Sequence, residues 1–598
     1  MKKNLFVCLA ALTLLAALTI PTYVSAQQPR YKLIDMGTFG GPQSYLNDGN
    51  SGNNQVSVLN NRGTLVGWAE TSLPDPFPKF CFNEDCYVSR AFKWHEGRRI
   101  NLGALDKDLS SQANWISPNG LIVGLSQNGK IDPLFPGFPE VRGVLWRDHK
   151  ILDLGTLPEG GYESWANGVN SKGQVIGWAT NTVPDANSMA APGFLPKQTR
   201  AFLWQKGAMQ DLGTLGTGTD AIAQFINERG QIVGWSYTGE SQANTCNPNL
   251  FPLPTHSFIW DEERGMRDLG TLGGTCAIAT GINNRGVIIG DNVNDQSLER
   301  AFFWKDEAIQ DLGGSIGGLQ TGAAGINDSG QVAGFATLEG EVLFHAALWK
   351  RIGEITDLGA LGADECSFAT GINSKTQVVG GSAVGCVFDS QSHAVLWERG
   401  SIFDLNTLIA PGASLTLELA QGINDRGEIA GIGVDTSGNE HAYLLVPCDK
   451  DSQSDCQQII AGEATGAPPP VMERAPLTNP RDTIRQMLRR QPGVLLHIPG
   501  PIGALSRTSD QAASENSSSS MRGQADLIDD GPSYGSGRCN VNPLTKKLTG
   551  YCTGSNGWVC FRRESAQCPS GATATNPEYV QMGFMCRPYV DTARSCTF

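Results

Sequence analysis

The residues best equipped for covalent chemistry in this chain are its fifteen cysteines, and their spacing suits disulfides better than metal. Cys81 and Cys86 would close a small loop, and Cys366 and Cys386 flank one hairpin. Cys448 and Cys456 follow the last of a series of repeats, while Cys246 and Cys276 fall in neighbouring repeats that would bring them together. Cys539, Cys552, Cys560, Cys568, Cys586 and Cys596 crowd the C-terminal segment. No CxxC and no nearby His pair supplies the ligand spacing of zinc, so metal is the weaker reading. Cys8 falls within an N-terminal leader, which leaves an even number of cysteines, as an oxidising compartment favours.

Catalytic signatures are sparse. The sequence contains no HExxH, no Walker loop and no EF-hand loop. Gly531-Pro532-Ser533-Tyr534-Gly535 has the spacing of a hydrolase nucleophile elbow, but it lies in a Ser/Gly-rich stretch without the strand–turn–helix context that such a serine needs. Aromatic residues offer more. Phe77, Phe135, Phe194 and Phe251 lie near Pro in long loops (DPFPKF at 75–80, DPLFPGFP at 132–139, APGFLP at 191–196, NLFPLP at 249–254). Trp68, Trp178 and Trp235 each follow a Val/Ile-Gly pair and lead towards those loops. Sugar rings stack their C–H faces on such side chains, so these seven are the candidate ligand platform. The competing reading is that Phe and Trp cover one another and stiffen the loops.

These residues are positioned by a repeat. A DLG-type element starts at Asp35, Asn101, Asp153, Asp211, Asp268, Asp311, Asp357 and Asp404, and the separations match propeller blades. Short alternating runs such as QIVGW and RAFLW, bounded by Gly, Asn or Asp, read as strands and turns. NERG, NNRG, NDSG and NDRG have Asn opening a turn and Gly closing it in the left-handed region. Two hairpins per unit make four strands, a to d from the axis outward. The chain begins with a lone d-type strand at 31–37 and its last unit stops after a c-type strand at 441–446, so the first strand can complete the last blade. The expectation is an all-β propeller of eight four-stranded blades closed by the N-terminal strand.

Trp94, Trp146, Trp204, Trp260, Trp304, Trp349 and Trp397 end the c strands and are expected to pack between blades. A basic residue heads each c strand, diagonal to the DLG Asp, which predicts repeated ion pairs such as Arg200 with Asp211. Histidine metal ligation is disfavoured there, because equivalent positions on separate blades do not converge.

The runs HAALW (345–349), HAVLW (393–397) and HAYLL (441–445), alternating with DLGTLGG (268–274) and GIN turns, resemble the extracellular HAF-repeat proteins of bacteria. The resemblance covers 31–447. It departs at Arg90, Arg142, Arg200 and Arg300, which replace His, and at His256, which precedes Ser. It supplies no established activity.

Lys2 and Lys3 before an apolar stretch, with Val24-Ser25-Ala26 ahead of Gln27, read as a cleaved signal over 1–26. No later stretch is long enough to span a bilayer. The formal charge of -14 disfavours nucleic acid and anionic membranes as partners. The remaining divisions are the propeller at 27–447, a mostly disordered linker at 448–536, and a disulfide-stabilised module at 537–598. No cofactor is called for. The expected function is that of a secreted, periplasmic or extracellular binding protein recognising carbohydrate or a cell-surface partner. The competing class is a secreted polysaccharide-degrading enzyme, a glycosidase or lyase.

Overall fold

In the third repeat unit the alternation of apolar and polar residues folds into Ser164–Val169, Val175–Pro184, Lys197–Gln205 and Ala208–Asp211, hydrogen-bonded in that order. The computed structural model describes most of residues 30–448, apart from 48–56, 78–80, 84, 134–137, 149, 159, 190–196, 240–252, 295–297 and 387–391, together with short strands further on. Five blades are separate four-stranded sheets of this kind. The fourth and fifth are linked into one sheet by a parallel contact between Thr255 and Cys276. The eighth is built from Leu415–Ile423, Ile429–Asp435 and Glu440–Pro447, and its outer strand is Tyr31–Asp35, antiparallel with Lys32 opposite Val446. The chain is therefore an eight-bladed all-β propeller closed by its N-terminal strand. Beyond the ring, Ile459–Ile460 runs parallel to Tyr31–Asp35, so the stretch assigned to linker returns at least once to the closing blade. A separate unit, Ser509–Phe598, contains the paired strands Asn540–Val541 and Leu548–Thr549, and a second sheet of Tyr551–Gly554, Gly557–Cys560 and Val580–Gln581.

The DLG element is a turn device. Asp211 accepts a hydrogen bond from the Gly213 N–H at 2.8 Å, and Gly213 has φ +88°, a region that favours glycine. Asp35, Asn101, Asp153, Asp268, Asp311 and Asp357 accept the same bond from the N–H two places on. In the seventh unit Asp404 accepts the same bond from the Asn406 N–H at 2.8 Å and there caps the short 3-10 helix Leu405–Leu408. The predicted ion pairs form in five units: Arg200–Asp211 at 2.8 Å, His256–Asp268 at 2.9 Å, Arg300–Asp311 at 3.0 Å, His345–Asp357 at 3.0 Å and His441–Asp35 at 2.9 Å. Phe202 lies opposite Asp211, which puts Arg200 on the diagonal. Three units depart. Arg90, whose partner position is Asn101, donates to the carbonyls of Ser89, Lys107 and Leu109. Arg142 pairs with Glu140 and His393 with Asp364. All seven c-strand tryptophans are buried, and Trp349 Nε1 donates to the Gly313 carbonyl of the preceding blade at 2.8 Å.

The turn asparagines also stitch the ring. Each side-chain oxygen holds its own turn, as Asn227 Oδ1 does by accepting from the Arg229 and Gln231 N–H groups. Each Nδ2 donates to the next blade: Asn170 to the Asn227 carbonyl, Asn227 to Asn283, Asn283 to Asn327, Asn327 to Asn373, and Asn373 to Asn424. Asn424 then donates to Asn60 and Asn60 to Ser117, joining the last blade to the first. Ser117 replaces Asn in the second unit, and Asn119 spans that gap by donating to the Ser171 carbonyl at 2.9 Å. Removing a buried partner from this belt leaves backbone groups unsatisfied, so Asn283→Ala should cost about 1–3 kcal/mol in denaturant unfolding. Ser329→Ala, on the exposed part of an equivalent turn, should change stability by less than about 0.5 kcal/mol. Equal effects would remove the belt from the account of ring closure.

Candidate functional site

The innermost strands meet at the axis, where among the described residues their inner edges have no strand partner apart from the single Thr255–Cys276 contact. From the second blade onward each of these strands carries a bulge three residues before the turn, shown by the register shifts at 113/115, 166/168, 223/225, 279/281, 323/325, 369/371 and 420/422. The bulged side chain covers the neighbour's free edge: Asn167 donates to the Ala223 carbonyl at 2.9 Å, Thr280 to Ala323 at 2.7 Å and Thr370 to Ala420 at 2.6 Å. The next residue is Gly168, Gly281, Gly325, Gly371 or Gly422 in five blades. A Cβ on Gly325 would stand 3.4 Å from the Gly371 Cα, and one on Gly371 would stand 3.5 Å from the Gly422 Cα. The glycine positions of these neighbouring blades thus lie within van der Waals reach of one another. In the second and fourth blades this position carries Trp115 and Phe225.

Over these two aromatics, at the end of the ring formed by the a–b turns, lies a pocket of about 180 Å³. Trp115, Val169, Phe225, Ile226, Ile282 and Ile326 supply its apolar lining, and Glu228, Asn284 and Asp328 its polar edge. Phe225 is buried and Trp115 only half-buried, so Trp115 is the aromatic with a free face. The edge is a chain of acceptors. Glu228 accepts from the Ser171 N–H at 3.1 Å, Asn284 Oδ1 from the Glu228 N–H at 3.1 Å, and Asp328 Oδ1 from the Asn284 N–H at 2.9 Å. Carboxylates with two oxygens retain lone pairs beyond these bonds. Such a site suits a small molecule with one apolar face and a hydroxyl-bearing edge.

Of the aromatic residues expected to form a platform at the opposite end, Trp178 and Trp235 are buried and not exposed. Trp235 is fully buried and donates to the Ala279 carbonyl of the next blade at 3.0 Å. Trp178 is also buried, stacked on Trp165 with centroids 5.5 Å apart. Trp68 is half-buried against Tyr45 and donates to Asn83 Oδ1. The physical reason is strand length: the b strands continue past these residues, which therefore lie within sheets and not in the loops. Phe77 is half-buried in the first loop, whereas Phe135, Phe194 and Phe251 lie outside the described residues. The hairpins differ round the ring. The b strands Leu65–Pro74, Ile122–Ile131 and Val175–Pro184 have ten residues each, against six in Ile232–Tyr237, and they expose Leu73, Ile131 and Val183.

Cys81–Cys86 and Cys366–Cys386 are disulfides, as the spacing predicted. Cys276 and Cys448 are also disulfide-bonded, while Cys246, Cys456 and the C-terminal cysteine side chains lie outside the described residues.

Polar contacts that sequence reasoning missed tie the long-hairpin loops to the start of the following blade. Asp75 accepts from Ser110 Oγ at 3.2 Å, and burial pushes its carboxyl up to about 6 despite bonds from the Phe77 N–H and Ser110. Buried Lys197 lies 2.5 Å from Asp132 and 3.2 Å from Glu163. Burial raises the Glu163 pKa while Lys197 opposes the shift. Asp220 accepts from the Met189 and Thr199 N–H groups, and burial raises its pKa too. Loop Asp residues next to Pro (Asp75, Asp132, Asp185) were the available signal.

No family model matches the chain, and no curated protein matches it. Among solved structures it is similar to Pyrococcus horikoshii acylaminoacyl peptidase at 12% identity, covering 54% of this chain and 49% of that one, with a TM-score of 0.31. The chain thus spans about half the length of that peptidase. It is also similar to the β-propeller domain of the trilobed protease from Pyrococcus furiosus (9% identity, 58% of this chain and 96% of that one, TM-score 0.34). A third likeness is to Porphyromonas gingivalis dipeptidyl peptidase 4 (10% identity, 67% of this chain and 62% of that one, TM-score 0.37).

Proposed function

We propose that the chain is an exported propeller of the HAF-repeat type that binds carbohydrate, with the axial pocket as its ligand site. The observation that supports this most directly is the half-exposed Trp115 beneath an edge of acceptors, Glu228, Asn284 and Asp328. A pyranose presents a C–H face to an indole and hydroxyl donors to carboxylates and amides, so both halves of the pocket are used at once. Disulfides in the propeller fit an oxidising compartment, in keeping with the signal-like leader.

A glycan array followed by calorimetry on the best neutral oligosaccharide tests the assignment. Trp115→Ala should weaken binding about tenfold, the equivalent of about 1.4 kcal/mol, with Glu228→Gln acting in the same direction. Melting should be little altered in Glu228→Gln. Array ligands that bind both variants as tightly as the parent chain would remove the axial pocket from consideration.

A further inference from the structure

The third residue of the a–b turn has the same place in all eight blades. It is Arg62, Lys172, Arg229, Arg285, Lys375 or Arg426 in six of them, and all six side chains belong to exposed residues. In a chain with a formal charge of -14, this concentration of cations around one end is not a reflection of composition. Four of the six reach along the circumference: Arg62 to the Asn119 carbonyl at 3.3 Å, Lys172 to Arg229 at 3.0 Å, Arg229 to Arg285 at 3.2 Å and Arg426 to Arg62 at 3.1 Å. These contacts show that the cations follow one another round the ring. They do not explain the charge, because Asn119 and Ser329 fill the position in the other two blades and the ring still closes. A guanidinium has five N–H donors and each such contact uses one, so most of the donor capacity remains directed to solvent. Arg426 differs in also pairing with the buried Glu428 at 3.1 Å.

Acidic residues of these a–b turns stand elsewhere, while the c–d turns at the same end carry the exposed Glu96, Asp148, Glu262, Glu263, Asp306 and Glu307. Glu228 and Asp328, at the second turn position, line the pocket, whereas none of the six cations does. Asp425, the third carboxylate at that position, accepts from the Ser374 N–H and from Asn61 Nδ2. The end of the ring is thus an acceptor-edged pocket encircled by a crown of cations. A hydroxylated ring fits the first, and negative groups spaced along a chain fit the second.

We propose that this end of the propeller docks an acidic polysaccharide, carboxylated or sulfated, with one sugar ring in the axial pocket and neighbouring acidic groups on the crown. The sugar class rests on the pocket reading above; the requirement for negative charge is independent of it. A nucleic acid would bring phosphates against the carboxylates at the pocket edge, which is why a sparsely charged, hydroxyl-rich polymer is the better fit.

The full chain would be titrated with polygalacturonate, its methyl ester, duplex DNA and phosphatidylserine vesicles. The expected result is preferential binding of polygalacturonate, weakened about tenfold or more when salt rises from roughly 0.05 to 0.5 M and the screening length shrinks. The variant Arg229→Gln/Arg285→Gln/Lys375→Gln should lose about tenfold towards polygalacturonate and keep its neutral-oligosaccharide binding and its melting temperature. Lys130→Gln, which removes a charge from the opposite end, should bind as the parent does. Equal affinity for the methyl ester, or no loss in the triple variant, would overturn the crown while leaving the pocket reading intact. Tighter binding of DNA or vesicles would overturn the polysaccharide assignment. If Trp115→Ala abolished nothing while the charge variant lost its binding, the pocket reading would fall and the crown would stand as a charge-reading surface alone.

Discussion

A chain lacking residues 27–37 should no longer unfold as a closed ring: its melting temperature should fall by more than about 10 °C, or cooperative unfolding should disappear. Tyr31, Leu33, Ile34 and Met36 are buried, and burying each such side chain contributes about 1.5–3 kcal/mol. The strand also completes an antiparallel ladder from Tyr31 opposite Pro447 to Asp35 opposite Tyr443. It carries Asp35, which pairs with His441 at 2.9 Å, and follows Arg30, which pairs with Glu398 at 2.8 Å. Together these rival the whole stability of a typical domain, about 5–15 kcal/mol. Deletion further leaves Glu440–Pro447 as an open edge, so the truncated protein should self-associate with rising concentration. Leu33→Ala separates loss of the strand from loss of its packing and should cost about 2–5 kcal/mol. Circular dichroism melts and denaturant titrations read both variants. Unchanged melting after truncation would show that the asparagine belt alone closes the ring.

The blade count, the turn chemistry and the closing strand were legible because each depends on local spacing. Asp and Gly two residues apart, or Asn and Gly three apart, specify a backbone bend wherever they occur. The c-strand tryptophans were legible for a related reason: they end strands whose far side is always another blade. Trp178 and Trp235 misled because the residues that follow them, Ala179-Thr180 and Ser236-Tyr237, carry the strand onward, and nothing in Val/Ile-Gly-Trp marks where a strand stops. Trp115 escaped notice as one of two departures, with Phe225, at a position that is Gly in five blades. Its meaning appears only when the glycines of other blades are seen within contact distance of one another. The belt and the crown were invisible for a topological reason, since each joins residues separated by a whole blade, and the bond from Asn424 to Asn60 exists only in a closed ring. The loop-root contacts Asp75–Ser110 and Lys197–Asp132 likewise need adjacent blades to be in place.

Stability should be greatest in mildly acidic solution and fall as the pH rises through neutral, and one carboxyl pair should carry much of that slope. Asp291 stands where other b strands have Trp68, Trp178, Trp235 or Phe335, and it faces the core of the fifth blade beside Glu299. Both are buried. Asp291 Oδ1 accepts from the Ala323 N–H at 2.8 Å, but neither carboxyl oxygen of Glu299 has a hydrogen-bond partner among the described residues. Burial raises both pKa values, and for Glu299 the charge of Asp291 raises it further. Asp75, pushed by burial to about 6, adds to the same trend. Unfolded carboxyls titrate near 4, so below that value both states are protonated and the contribution is fully present. As the pH climbs, the unfolded chain releases protons that the folded chain still holds. Each pH unit of that difference removes about 1.4 kcal/mol per proton. The opposite trend governs the acid limb: burial favours the neutral forms of Asp268 and Asp357, but bonds from His256 and His345 and from backbone N–H groups outweigh it and lower both pKa values. Asp291→Asn with Glu299→Gln removes the titrating pair while keeping an acceptor for Ala323. The double variant should therefore outlast the parent chain in denaturant at pH 8, match it near pH 4, and show a flatter profile between. Parallel profiles for the two proteins would mean that the pair is ionised in the folded state, held by partners that burial alone does not predict.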